Sequence, residues 1–368
     1  MRFIDLNLYN FRNISSADLS VDAEDIVLTG INGQGKTNIL EAIYTLCYGS
    51  SFRTPNLKEC MKLGSSDGFR IEGTFSIDER EKESIKVIFN DNKRHIFIDD
   101  KEIKDRKELI YRFPCIVFCH EDIQFIKGEP EMRRRFFDQM MSLYSPLYFD
   151  NSRNYRKILT QRNAAIKTGD YSLISLYNER LSYYGLEIMR ERTETVYEFN
   201  KIFPEIFSLI SDTDYELYID YQPSWKESGS VDEIVSYLER TSERDMNLQT
   251  TSSGIHRDKF MIMCGDGPFA QIGSTGQLRL CSLIMRISEA RYFTKMTGRK
   301  PILLIDDVLL ELDPEKRGKL IALLDNYSQA FFTFLPFENY FENREKAIYY
   351  RVQKGEFSFE NRSQESVR

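Results

Sequence analysis

The segment Gly30-Ile31-Asn32-Gly33-Gln34-Gly35-Lys36-Thr37 fits the pattern G-x-x-x-x-G-K-[ST]. It stands between an apolar run, Ile26 to Leu28, and a helical pattern with apolar residues at Ile39, Ile43, Leu46 and Cys47, which is the strand, loop and helix setting the pattern requires. In that setting successive backbone N–H groups and the positive end of the helix face phosphates, Lys36 reaches the β- and γ-phosphates, and the Thr37 hydroxyl ligates magnesium. Such a site needs a second half, a hydrophobic strand ending in an acid. Pro301-Ile302-Leu303-Leu304-Ile305-Asp306-Asp307 supplies it, with Asp306 placed to hold magnesium through water. Asp307 stands where a glutamate usually polarises the attacking water. Aspartate is one methylene shorter, so slow hydrolysis suited to a switch is expected; the plainer reading of Asp307 is a helix-capping acid.

A third element narrows the class. Ser274-Thr275-Gly276-Gln277, followed at once by a helical pattern, presents a hydroxyl, a glycine and a helix N-terminus to an anion. Any loop before a helix can look like this, and order along the chain decides. Phosphate loop, Ser-x-Gly-Gln, acid-ended strand and then Glu311-Leu312-Asp313 is the order of the ATP-binding-cassette ATPases, in which the Ser-x-Gly-Gln of one subunit completes the site of another. Over essentially its whole length the chain resembles the RecF family of bacterial recombination mediators, whose heads are similar to those of SMC proteins. The residues carrying this are Asn10-Phe11-Arg12-Asn13, Gly30 through Asn38, Glu121-Asp122, Gly128 through Asp138, Gln161-Arg162-Asn163, Gly254-Ile255-His256-Arg257-Asp258, the Ser274 motif and Leu304 through Asp313. Leu310, Ile255 and Lys259 depart from the family pattern.

The resemblance implies an α/β fold of the ATP-binding-cassette head type, a phosphate-loop sheet core plus antiparallel strands, with an inserted helical domain. It implies ATP and magnesium as ligands, with Arg12, Asn13 and Asn38 beside the nucleotide, Ser274, Gly276 and Gln277 acting in trans, and Thr333 standing where transporter ATPases place a switch histidine. It further implies a weak, DNA-stimulated ATPase, an ATP-dependent homodimer on duplex and single-stranded or gapped DNA, RecO and RecR as partners, and recombinase loading and SOS induction as the task. An ATPase subunit of a transporter is the alternative. The separation of 238 positions from Lys36 to Ser274, and the absence of a glutamine after Ile116 to Phe118, where His120 and Glu121 stand, disfavour it.

Composition sets the frame for these readings. A 368-residue chain with 41% hydrophobic and 29% charged residues is that of an ordinary globular protein, long enough for one large or two ordinary domains. The N-terminus alternates apolar and polar residues where a signal peptide would be continuously apolar, so a cytoplasmic protein without a membrane segment is expected. Six scattered cysteines with no CxxC, and three histidines, read as buried thiols rather than zinc ligands. The net charge of −7 argues against a uniformly basic DNA binder, but it hides an asymmetry. Between Arg133 and Thr168 eight basic residues face two acidic ones. Arg133, Arg134, Arg135, Arg156 and Lys157 are therefore the DNA candidates, against the ordinary reading of a solvated face. His256 and Arg257 read equally as a DNA contact or as a pair bracing the fold.

Periodicity organises the chain in the same way. Strand character dominates up to RHIFIDD, with a hairpin at Asn90-Asp91-Asn92, and from Glu129 to about Leu209 the pattern is mostly helical. Apolar residues at 174, 177, 181, 184 and 188 read as a packed helix or a short coiled-coil stub. The expected division is a head at 1–128 and 250–368 with a mostly helical insertion at 129–249, and the last dozen residues are expected to fray.

Overall fold

The computed structural model describes residues 2–77, 81–324, 326–336 and 347–360. The chain forms two compact units: Met1–His120 together with Phe293–Arg368, and Glu121–Tyr292. Where the sequence suggested an insertion at 129–249, the second unit thus also takes in the Ser274 segment.

Among the described residues the first unit holds two six-stranded sheets. Strands β1 (Arg2–Phe11), β2 (Ile14–Ser20), β4 (Phe69–Ser76), β5 (Lys82–Asn90), β6 (Lys93–Ile98) and β7 (Lys101–Glu102) form an antiparallel sheet in the order β2-β1-β4-β5-β6-β7. Their residues alternate between buried and exposed, because one face meets the core and the other meets water. The turn at Asp91-Asn92 has φ of 47° and 57° at its two central residues, the mirror-image turn whose twist suits a hairpin. The other sheet combines β3 (Asp25–Thr29), β8 (Cys115–Phe118), β12 (Ile302–Asp306), β13 (Gln329–Phe334), β14 (Ile348–Gln353) and β15 (Glu356–Phe359) in the order β15-β14-β3-β13-β12-β8. All but β15 run parallel to their neighbours, and β3, β8, β12 and β13 are buried at every position, which is why they read as unbroken apolar runs.

The helix Lys36–Tyr48 lies in the shared core, with Ile39, Leu40, Ile43, Leu46 and Cys47 packed among Phe3, Leu6, Ile71, Ile85, Leu304 and Phe331. A buried amide ties strand ends together. Gln329 accepts from the Phe3 N–H at 2.8 Å and places Nε2 2.7–3.0 Å from the carbonyls of Phe3, Val21 and Ala23. Of the last dozen residues, expected to fray, Phe357, Ser358 and Phe359 pair with β14, and residues 361–368 lie outside the described residues.

The second unit is mainly helical. Helices Pro130–Tyr144, Pro146–Thr168, Ile174–Phe199 and Phe203–Ser211 follow in sequence, with proline in the first turn of three of them, where its missing N–H costs nothing. Leu181 and Ile188, two of the five periodic positions, are buried in this packing, as a packed helix requires. The sequence reading passed over β9 (Leu217–Gln222), which pairs with β10 (Lys259–Cys264) and, through it, with β11 (Gly267–Pro268). Two short helices, Val231–Arg240 and Ser242–Leu248, follow within the stretch read as a mostly helical insertion. The first of these opens with a reciprocal capping box between Ser230 and Glu233. Trp225, within that stretch, is buried against Gly185, where the helix has no side chain to hold it off.

Candidate phosphate-binding site

Register brings the site together. Leu28 of β3 lies opposite Thr333 of β13, and Thr333 opposite Asp306 of β12, so the carboxyl ends of three neighbouring parallel strands open at one level. Ligands of open α/β sheets gather at such an edge. The loop from Gly30 to Gly35 leaves β3 there and enters the helix at Lys36. Ile31, Asn32 and Gly33 are exposed, whereas Lys36 is buried to 3%.

The charged groups of this edge are linked to one another. Lys36 Nζ donates to the Gly30 carbonyl at 2.7 Å and lies 3.4 Å from Asp307 Oδ2. Thr37 Oγ1 donates to Asp306 Oδ1 at 2.8 Å. Thr333 Oγ1 accepts from the Asp307 N–H at 2.8 Å and lies 3.0 Å and 3.1 Å from the Oδ1 atoms of Asp306 and Asp307. Burial, with Asp307 alongside, holds the Asp306 carboxyl above its usual range, while the Thr37 and Thr333 hydroxyls pull the other way. Asp307 has φ of 53°, a left-handed conformation at the start of the turn Val308–Glu311. His120 pairs with Glu311 of the same unit.

The β1–β2 turn supports the loop. Asn13 Nδ2 donates to the Gln34 carbonyl at 2.9 Å, and Asn38 Nδ2 donates to Asn13 Oδ1 at 2.7 Å. Gly35, at φ of 115°, sits so close to Asn13 that a Cβ there would lie 2.7 Å from Oδ1. Arg12 is not among these groups. It is forked onto Glu41 at 2.6 and 2.8 Å and donates to the Glu59 carbonyl at 2.7 Å. Sequence reasoning missed Glu41, a fully buried carboxylate that also accepts from Ser51 and Arg53. Burial works against its charge, yet these partners hold its carboxyl below the usual range. A single acid inside a helical pattern gives no signal of this.

In the second unit, Ser274 and Gln277 cap the helix Thr275–Thr297 reciprocally: the Gln277 N–H donates to Ser274 Oγ at 3.3 Å, and the Ser274 N–H to Gln277 Oε1 at 2.8 Å. Ser274, Thr275 and Gly276 are exposed, and the space where Gly276 would carry a Cβ is open. This leaves a helix N-terminus available to an anion.

The basic segment is divided. Arg133 donates to the Ile126 and Gly128 carbonyls, and Arg134 to the Asp258 carbonyl at 2.9 Å; burial lowers the pKa of both. Arg162 is buried on Asp245, Asn178 and Thr251, each within 2.8 Å. Arg135, Arg156 and Lys157 are exposed. His256 lies 2.9 Å from the Tyr155 hydroxyl and 3.0 Å from the Thr251 carbonyl, and burial pulls its pKa down to about 4, so the bracing role describes it. Arg257 is exposed.

A phosphate loop leaving one strand of a parallel sheet, with an acid-ended strand next but one and a separate capped Ser-x-Gly-Gln helix, defines a nucleotide-hydrolase head of the ATP-binding-cassette and SMC type. The model of the RecF/RecN/SMC N terminal domain family matches residues 3–357. The DNA replication and repair protein RecF of Treponema pallidum is 38% identical over 348 residues, 94% of this chain and 98% of that protein. RecF of Leptospira interrogans, strain 56601, is 34% identical over 89% of this chain and 90% of its own. A solved structure of the recombination mediator protein RecF-ATP in the RecFOR pathway superposes with a TM-score of 0.88 at 26% identity, covering 98% of this chain and 97% of that one. An Smc head bound to the C-winged helix domain of ScpA, at 14% identity and a TM-score of 0.57 over 99% and 98%, shares the fold. The chain belongs to the RecF family.

Proposed function

We propose that this chain is an ATP-dependent DNA-binding protein of recombinational repair and replication-fork maintenance, and a weak ATPase. The observation that carries the reading is the convergence of Lys36, Thr37, Asp306, Asp307 and Thr333 within hydrogen-bond reach at one sheet edge. The groups fit ATP and magnesium. Among the described residues Lys36 has its own loop carbonyl and Asp307 as partners, both of which the phosphates can replace, and Thr37 with Asp306 offers two hard oxygen donors, as magnesium requires. Magnesium would neutralise charge on the β- and γ-phosphates. Gly30 to Asn38 hold the phosphates, Asn13 fixes the loop, Asp307 orients the attacking water, and Thr333 holds both carboxylates in place.

Ser274 and Gly276 of a second copy complete the site, so that ATP closes a homodimer around DNA and slow hydrolysis reopens it. Arg135, Arg156 and Lys157 are the basic residues free to meet DNA phosphates, on duplex and on gapped or single-stranded substrates. Solved relatives stand in the RecFOR pathway, which supports RecO and RecR as partners of this chain in recombinase loading and SOS induction. The same relatives favour repair over an ATPase subunit of a transporter. No helix among the described residues is long and apolar enough to cross a membrane, and a cytoplasmic location is part of the proposal.

The test is retention of gapped DNA by the purified protein with ATP and magnesium, with ADP, and without nucleotide. Retention with ATP and release on hydrolysis is expected. Equal retention in all three conditions contradicts an ATP-closed clamp.

A further inference from the structure

Gln34 of the phosphate loop is held from two sides by turns that are distant in sequence. Its main-chain carbonyl accepts from Asn13 Nδ2 at 2.9 Å and from the Gly355 N–H at 2.8 Å. Its side-chain Oε1 accepts from the Lys354 N–H at 2.7 Å. Lys354 and Gly355 form the turn between β14 and β15, and both have positive φ, 52° and 80°. The turn is packed as tightly as it is bonded. A Cβ on Gly355 would lie 2.6 Å from the Asn13 carbonyl oxygen. Three turns, those of β1–β2, the phosphate loop and β14–β15, therefore meet at one glutamine.

We infer that Gln34 and the Lys354-Gly355 turn are positioning elements for nucleotide binding: they fix the backbone of the phosphate loop so that its N–H groups point into the site before ATP arrives. A loop of this composition, with three glycines among six residues, has many alternative backbone states. Each must be given up on binding, at a cost in affinity. Two hydrogen bonds from a turn anchored in the central sheet remove that freedom in advance. The atoms involved are two main-chain donors of the turn and, on Gln34, one main-chain and one side-chain acceptor, none of which needs to touch the ligand. The expected signature is thus on affinity.

This inference rests on the reading that the loop binds ATP, and the experiment separates the two. ATP binding with magnesium is measured by calorimetry for the wild type, Gln34→Met, Gln34→Glu and Gly355→Ala, alongside thermal unfolding without nucleotide. Gln34→Met removes the acceptor, and Gln34→Glu restores one for the Lys354 N–H. The expected result is a Kd raised about tenfold in Gln34→Met and Gly355→Ala, partial rescue in Gln34→Glu, and an unchanged melting temperature for Gln34→Met. Wild-type affinity in Gln34→Met overturns the inference, as does a loss of affinity that Gln34→Glu shares in full. Should Gly355→Ala fail to fold, the two Gln34 variants decide alone. A wild type that binds no ATP overturns the nucleotide reading, and this inference with it.

Discussion

Lys36 in the first unit and Arg192 in the second are both buried cations, exposed by 3% and 1%, but their surroundings differ in kind. Arg192 donates to Asp138 at 2.7 Å, to Asp258 and the Ile255 carbonyl at 2.8 Å, and to the Tyr148 hydroxyl at 3.1 Å. Asp258 is in turn bonded by Tyr221 and by the Ser224 N–H. Burial acts to discharge the guanidinium, and the surrounding anionic and phenolic groups more than offset it, holding its pKa well above the ordinary value. Lys36 has one carbonyl of its own loop and one carboxylate at 3.4 Å. A closed network of this kind keeps a fold in one arrangement, and removing one member strands the others. An ammonium held by one carbonyl of its own loop and one carboxylate can exchange them for a phosphate.

The largest effect that would test this difference is on stability. Arg192→Leu leaves Asp138 and Asp258 uncompensated and should cost about 3–5 kcal/mol in urea unfolding. Lys36→Ala should cost less than about 1 kcal/mol in the same assay, a typical value for a single net hydrogen bond. A reversed order would break the comparison. Nucleotide affinity should respond the other way, with Lys36→Ala weakening ATP binding about 100-fold in calorimetry, as the loss of a charge-assisted contact of about 3 kcal/mol requires.

Asp306 sharpens the point, because a binding group held ready is a strained one. Its folded-state pKa is raised by burial, so ionisation opposes folding. That cost is absent below the ordinary aspartate range, grows as pH rises through it, and is fully present above the raised value. Asp306→Asn should therefore be more stable than wild type at neutral pH without magnesium and equal to it in acid, as denaturant titrations at several pH values would read. The same substitution should reduce magnesium-dependent phosphate release by about 10–100-fold, as loss of a water-mediated metal contact does.

The smallest effect separates exposed basic residues from those already bonded. Arg156→Ala combined with Lys157→Ala should lower the slope of log affinity for DNA against log salt by about 2, one for each phosphate contact, and leave unfolding unchanged. Arg133→Ala should move unfolding instead, because its guanidinium holds the carbonyls of Ile126 and Gly128.

Much of the first unit could be read from the chain. Gly30 to Thr37 and Ile302 to Asp307 carry their chemistry in local pattern, and buried parallel strands announce themselves as apolar runs. The supports could not be read in this way. Asn13, Gln34 and Lys354 meet because of strand order, and no local periodicity encodes the pairing of β14 with β3. In the second unit the charge run from Arg133 to Lys167 looked uniform, yet Arg162 is buried on Asp245, 83 residues away, while Arg156 is exposed. A net charge counts side chains without regard to partners, and the partners of Arg162 and Arg192 lie on other elements. Strand β9 was missed for a related reason: six residues, LYIDYQ, become a strand only through pairing with β10.

The central claim is that the Lys36 edge and the exposed Ser274 helix end are two halves of one ATP site supplied by different copies of the chain. Sedimentation velocity at fixed protein concentration, without nucleotide and then with ATP and magnesium, tests it most directly, with Ser274→Arg beside the wild type. The account predicts a wild-type monomer that becomes a dimer only with ATP, and a Ser274→Arg protein that binds ATP but stays monomeric. A Ser274→Arg protein that dimerises as the wild type does would contradict it.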